Sequence, residues 1–232
     1  MVLLVLAGPL LFFVQARLPV ARSYQPRPIN YAFFRSTRFW VLEASIILQG
    51  LGFFMPGLYL PTYAESLGAP AVKGALTVAL FNMTSVFGAI IFGTLTDRVH
   101  VTTTMFYSSI GATVAVFFLW GFAVSFPTLC VFSLIYGLFA GGYSSTWWKV
   151  SAEIRRDDDR SEGIILFGIL AAGRGIGSVA SGPLSEALLR DKPWQGDAIL
   201  GYGSGFGPLI VLTGTMSLLG GSGWVARRMG MI

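Results

Sequence analysis

The chain has 232 residues, 54% hydrophobic and 12% charged, with a mean hydropathy of +0.69 and a formal net charge of +5. Soluble domains carry about 25% charged residues, so this composition excludes an ordinary soluble domain and places the chain among membrane proteins. The single cysteine, Cys130, and the single histidine, His100, exclude an internal disulfide framework and any metal site built on several Cys or His ligands.

Residues 1–14 are apolar but reach only about 20 Å as a helix, short of the ~30 Å hydrocarbon core. They lack the basic flank and cleavage site of a signal peptide. They read as the tail of a transmembrane helix whose start is missing, so the chain is expected to be a fragment. Residues 15–38 form a basic linker holding Arg17, Arg22, Arg27, Arg35 and Arg38, no acidic residue, and Pro19, Pro26 and Pro28.

Six apolar stretches of spanning length follow, at roughly 39–60, 74–95, 102–124, 126–148, 162–187 and 205–226. The expected class is all-α: a polytopic bundle of six full transmembrane helices at 39–232 behind the partial one. Of sixteen Lys and Arg, twelve fall on the linker's side of alternating spans and three, Lys73, Arg190 and Lys192, on the other. Positive charge marks the cytoplasmic side, so linker and C-terminus are expected there. This distribution also explains the net charge without nucleic acid as a partner. Trp40, Trp147, Trp148, Trp194 and Trp224 sit near span ends, where indoles anchor to the lipid interface.

The first span carries Glu43 and Gln49. Glu43 is a candidate proton-accepting site or a carboxylate at the membrane interface. Gly50, Gly52, Pro56, Gly57 and Pro61 predict a broken helix before Tyr63. Gln49 and Tyr59 here and Asn82 in the second span are uncharged polar groups, suited to lining a solute cavity or to linking helices.

Arg174 is the sixteenth basic residue and the midpoint of 161–189. A charge at mid-bilayer costs at least ~2.5–3.5 kcal/mol, so it faces protein, water or an anion rather than lipid. It reads as an anion partner on a translocation path, or as a structural arginine tied to carbonyls, Glu43 or Glu186. Gly168, Gly173, Gly175, Gly177 and Gly182 leave room for close helix approach or a path beside it. Gly137-x3-Gly141 and Gly173-x3-Gly177 read as helix contacts. Gly175-x-Gly177 follows no strand, so no dinucleotide cofactor is expected. Residues 155–162 read as a solvated charged loop.

Gly93-Thr-Leu-Thr-Asp97-Arg98, closing the second span, resembles the loop signature of the major facilitator superfamily, with Val99-His100-Val101 replacing its usual basic continuation. Leu6-Ala-Gly-Pro-Leu-Leu-Phe-Phe13 and Gly173-Arg-Gly-Ile-Gly-Ser-Val-Ala-Ser-Gly-Pro-Leu-Ser-Glu186 are similar to fungal members of its monocarboxylate transporter-like branch. The resemblance implies the C-terminal six-helix half of a twelve-helix secondary transporter, carrying a small organic anion by alternating access. Its partners would be the solute, a candidate coupled proton, lipid, and the missing half or a second copy. Gly93, Asp97 and Arg98 would form a conformational latch, with Asp97 meeting the N-terminal end of a neighbouring helix. Asn82 and Val86 stand where animal carboxylate carriers keep an Asp and an Arg, which removes that device here. The alternatives are a truncated, non-transporting or regulatory membrane fragment, and a carrier of another solute such as a vitamin. An intramembrane enzyme finds no support: the chain has no Gly-x-Ser-Gly with an intramembrane His, no intramembrane Asp pair and no His-Glu-x-x-His.

Overall fold

The structure is a computed structural model that describes residues 31–156 and 163–232. The partial helix at 1–14, most of the linker and the acidic part of the 155–162 run lie outside the described residues. Six helices are long and apolar enough to cross a bilayer: α1 Thr37–Ser66, α2 Ala71–Arg98, α3 Val101–Trp120, α4 Phe126–Arg155, α5 Gly163–Leu189 and α6 Gly207–Arg228. Within lipid each backbone polar group must be bonded inside the protein, which leaves a long apolar run little choice but helix. No strand occurs among the described residues.

Local sequence sets the helix ends. Pro127 and Pro208 occupy the first turns of α4 and α6, where a missing N–H costs nothing. The His100 ring accepts from the Thr102 N–H at 3.3 Å and caps α3. The last turns of α3 are wound as a π-helix, Ala115–Trp120. There the Phe117 carbonyl accepts from the Tyr202 hydroxyl at 2.9 Å.

The break expected before Tyr63 is absent. Helix α1 runs through Pro56 and Pro61 for 30 residues. Pro56 brings no N–H to the Gly52 carbonyl four residues earlier, and the Tyr136 hydroxyl of α4 donates to that carbonyl at 3.3 Å. A neighbouring helix thus supplies the bond that proline removes, which keeps the helix intact in an apolar medium.

Helices α1 and α4 form the middle of the bundle; α2 packs mainly on α4, α5 on α1, and α3 and α6 close the back. Glycines permit the tightest contacts. A Cβ on Gly88 would overlap the Leu138 carbonyl, and one on Gly137 would overlap Thr84 and Phe81. The core is two apolar clusters. Met55, Leu60, Tyr63, Trp120, Phe132 and Leu209 hold the end away from the linker. Phe39, Leu42, Ile46, Met105, Val150 and Leu166 hold the linker end. Between them, along α1 and α5, lies a thin polar layer containing Gln49 and Arg174. Cover is uneven: the apolar windows of α2 and α5 are 22% buried, against 50–56% for the other four helices.

Candidate functional site

Arg174 leaves the middle of α5 and turns into the bundle, where it is 8% exposed. Its Nη1 donates to the Gln49 Oε1, and Gln49 Nε2 donates to the Ala140 carbonyl of α4 at 3.3 Å. Gln49 therefore ties the guanidinium to both central helices. The remaining faces of the cation meet aromatic rings. The guanidinium carbon lies 4.3 Å from the Phe53 centroid, 5.3 Å from Trp147 and 5.5 Å from Phe54. Desolvated cation–π contacts reach about 2 kcal/mol each, enough to offset part of the cost of burial. Phe54 is 40% exposed, so one wall of the aromatic box reaches the surface of the described bundle.

No carboxylate stands in ion-pair range of Arg174 among the described residues. Neither Glu43 nor Glu186 is its partner. Glu43 is nonetheless close by. Its carboxylate rests on Gly173, where an added Cβ would overlap it. It is 5% exposed and its Oε2 has no hydrogen-bond partner. The α1–α5 contact encloses it because Gly173 and Gly177 let the helices touch. Trp147 Nε1 is likewise buried without a partner. An unsatisfied donor and an unsatisfied acid thus flank one buried cation. Such groups cost about 1–3 kcal/mol each; Thr104 Oγ1, Ser109 Oγ and Trp120 Nε1 are others elsewhere in the bundle.

The other expected residues are dispersed. Tyr59 sits ten residues beyond Gln49 on α1, about 15 Å along the axis, and shares a 3.0 Å hydrogen bond with Ser185. It lines a cavity of about 460 Å³ with Lys192 and Phe206 at the end away from the linker. Asn82 is exposed on α2 and donates to the Val78 carbonyl of its own helix at 3.0 Å. It does not join the Arg174 group. Gly93 faces Ser145 of α4 at ordinary contact distance. Asp97 meets Lys149 Nζ at 3.1 Å, in the first turn of the α-helical segment Trp147–Arg155. Arg98 is exposed beside it.

The sequence did not single out the aromatic box. Trp147 read as a belt residue, but its ring packs inward on Phe167 and Arg174 while Trp148 takes the exposed position. The available signal was spacing: Gln49 and Phe53 are four apart and share a helix face. At the linker end Glu153 gathers Arg38, His100 and Arg156 at 3.0–3.4 Å. Burial is the largest influence on His100 and lowers its pKa from 6.5, with Glu153 opposing.

Comparison with known proteins places these features. The family model described as Major Facilitator Superfamily matches residues 1–154 and 42–213. The agnestins efflux protein AgnL12 of Paecilomyces divaricatus is 29% identical over 209 residues, 88% of this chain and 45% of that protein. The aspyridones efflux protein apdF of Emericella nidulans is 29% identical over 129 residues, 56% of this chain and 26% of that protein. Monocarboxylate transporter 12 of Rattus norvegicus is 29% identical over 128 residues, 54% of this chain and 26% of that protein. The chain spans less than half the length of each of these relatives.

Proposed function

Because this chain belongs to the Major Facilitator Superfamily, we propose that it is the C-terminal six-helix half of a secondary transporter that moves a small, monocarboxylate-like organic anion by alternating access. The observation that carries this reading is Arg174, a cation at mid-span met only by an amide and by aromatic rings among the described residues. A guanidinium fork holds a carboxylate by paired, charge-assisted hydrogen bonds. An arriving carboxylate would take the Nη1 donor from Gln49 and could accept from the unbonded Trp147 Nε1–H. The efflux names of two fungal relatives support export as the direction.

Glu43 is the proposed proton site. An unpaired carboxylate inside a membrane is costly as an anion, and its place on Gly173 puts it next to the residue that meets the solute. Gly93, Asp97 and Arg98 act as the latch, with Asp97 tying α2 to α4 through Lys149 in this conformation. The poor cover of α2 and α5 supports a further six helices as partner, the other half or a second copy. Along α5, Gly168, Gly175 and Gly182 recur every seven residues with no atom within 4 Å of a Cβ built on them. Small residues at such spacing suit close helix docking. The charge count of the loops supports a cytoplasmic C-terminus.

The test is uptake of labelled organic acids by vesicles carrying the chain joined to a partner half. Arg174→Leu is expected to reach the membrane in normal amount and to lower uptake about 10- to 100-fold, the worth of a charge-assisted pair of ~1.5–3 kcal/mol. Undiminished uptake in that variant overturns the assignment.

A further inference from the structure

We propose that the linker end of the bundle holds a specific site for an anionic phospholipid with a phosphorylated headgroup, between α3 and α6. Two cavities adjoin there and share Arg227. One, of about 400 Å³, is lined by Thr103, Trp224, Arg227 and Arg228. The other, of about 440 Å³, is lined by Arg38, His100, Thr102, Glu153, Arg156 and Arg227, with Ile232.

Charge selects an anion. Among the described residues, the side chains lining the two cavities include four arginines against one acid, Glu153. Glu153 is already engaged by Arg38, His100 and Arg156 at 3.0–3.4 Å. Arg227 and Arg228 make no ion pair among the described residues. Position selects a lipid. Arg228 lies 5.2 Å from the Trp224 ring centre, and Trp224 stacks on Phe106 at 4.5 Å. Such an aromatic–basic pair marks the depth of headgroups. From that point an exposed apolar surface runs along the spans: Tyr107 and Val114 on α3, Leu218 and Val225 on α6. Acyl chains would lie on it while the phosphodiester meets Arg228 and the Thr103 hydroxyl. The headgroup phosphate would pass Arg227 into the second cavity. Basic pockets between spans recognise phosphorylated headgroups in this way. The site lies away from Arg174 and is independent of which solute is carried.

The probe is a phosphatidylinositol monophosphate, titrated into the chain in phosphatidylcholine nanodiscs and read as bound lipid per protein by native mass spectrometry. The double variant Arg227→Gln, Arg228→Gln is expected to bind it about 25-fold more weakly, a factor of about five for each basic residue at an anionic surface. Arg190→Gln with Lys192→Gln, at the other end, is expected to leave binding unchanged. Wild-type affinity falls as salt is raised, a readout that needs no variant to fold. Equal binding by the double variant, affinity indifferent to salt, or equal retention of phosphatidylcholine overturns the site. Soluble inositol bisphosphate binding as tightly as the lipid overturns the lipid as its occupant.

Discussion

Two charged regions of this molecule follow opposite rules. In the middle of the bundle, Arg174 and Glu43 lie 8% and 5% exposed and do not pair; the cation meets an amide and rings, and the acid keeps an oxygen unbonded. At the linker end, Glu153 is crowded by three basic groups, and Asp97 pairs with Lys149 although their side chains are 72% and 45% exposed. The exposed Asp97–Lys149 pair there carries little energy, because water competes for exposed charges. The buried region carries more, because an unmatched charge in hydrocarbon has no solvent to fall back on. Counting salt bridges would therefore point to the wrong end of the protein.

Substitutions can sharpen or break that contrast. Gln49→Leu strips the buried cation of its hydrogen-bond acceptor, and the expected loss in unfolding free energy is about 3 kcal/mol, read by thermal melting in detergent. In the Arg174→Leu background the same change is expected to cost far less, since no cation remains to be satisfied. Equal costs in both backgrounds would mean that Gln49 serves packing alone. Tyr136→Phe leaves the Gly52 carbonyl without a donor and should cost about 1 kcal/mol. Restoring the backbone N–H with Pro56→Ala should largely cancel that cost, and additivity in this cycle would remove the proposed compensation.

The exposed end should respond weakly. Lys149→Gln is expected to change stability by less than about 1 kcal/mol, and raised salt should abolish the difference. Burial lowers the His100 pKa in the folded protein, so the fold favours the neutral ring. Its contribution is complete above the unfolded value of about 6.5 and is lost as pH falls through the lower folded value. Thermal melts across this range should show an acid-side loss that is absent in His100→Asn.

The sequence made the span number and the mid-span position of Arg174 legible, because twenty-residue apolar runs and one stranded charge are local signals; α1 and α4 run on to Ser66 and Arg155, beyond the expected ends at 60 and 148. The glycine pairs also read correctly: Gly137 and Gly173 sit at helix contacts. Two features stayed hidden for one physical reason, that they depend on a partner distant in the chain. Helix α1 continues through Pro56 with Tyr136, eighty positions later, donating to the freed carbonyl. Trp147 turns inward because Arg174 offers a cation there. Asn82 and Tyr59 stand apart from the Arg174 group, Asn82 bonded within its own helix and Tyr59 about 15 Å further along α1, a separation that helix rotation and rise determine. For Tyr59 the height was readable from residue spacing along α1; for Asn82 the packing of α2 on α4 had to be known first.

The most direct test compares uptake of an organic acid with that of its neutral amide, in vesicles carrying the joined transporter with Arg174 intact or changed to Leu. The acid is expected to be preferred with Arg174 present and the preference to vanish with Leu. A preference that survives the substitution would contradict Arg174 as the group that meets the anion.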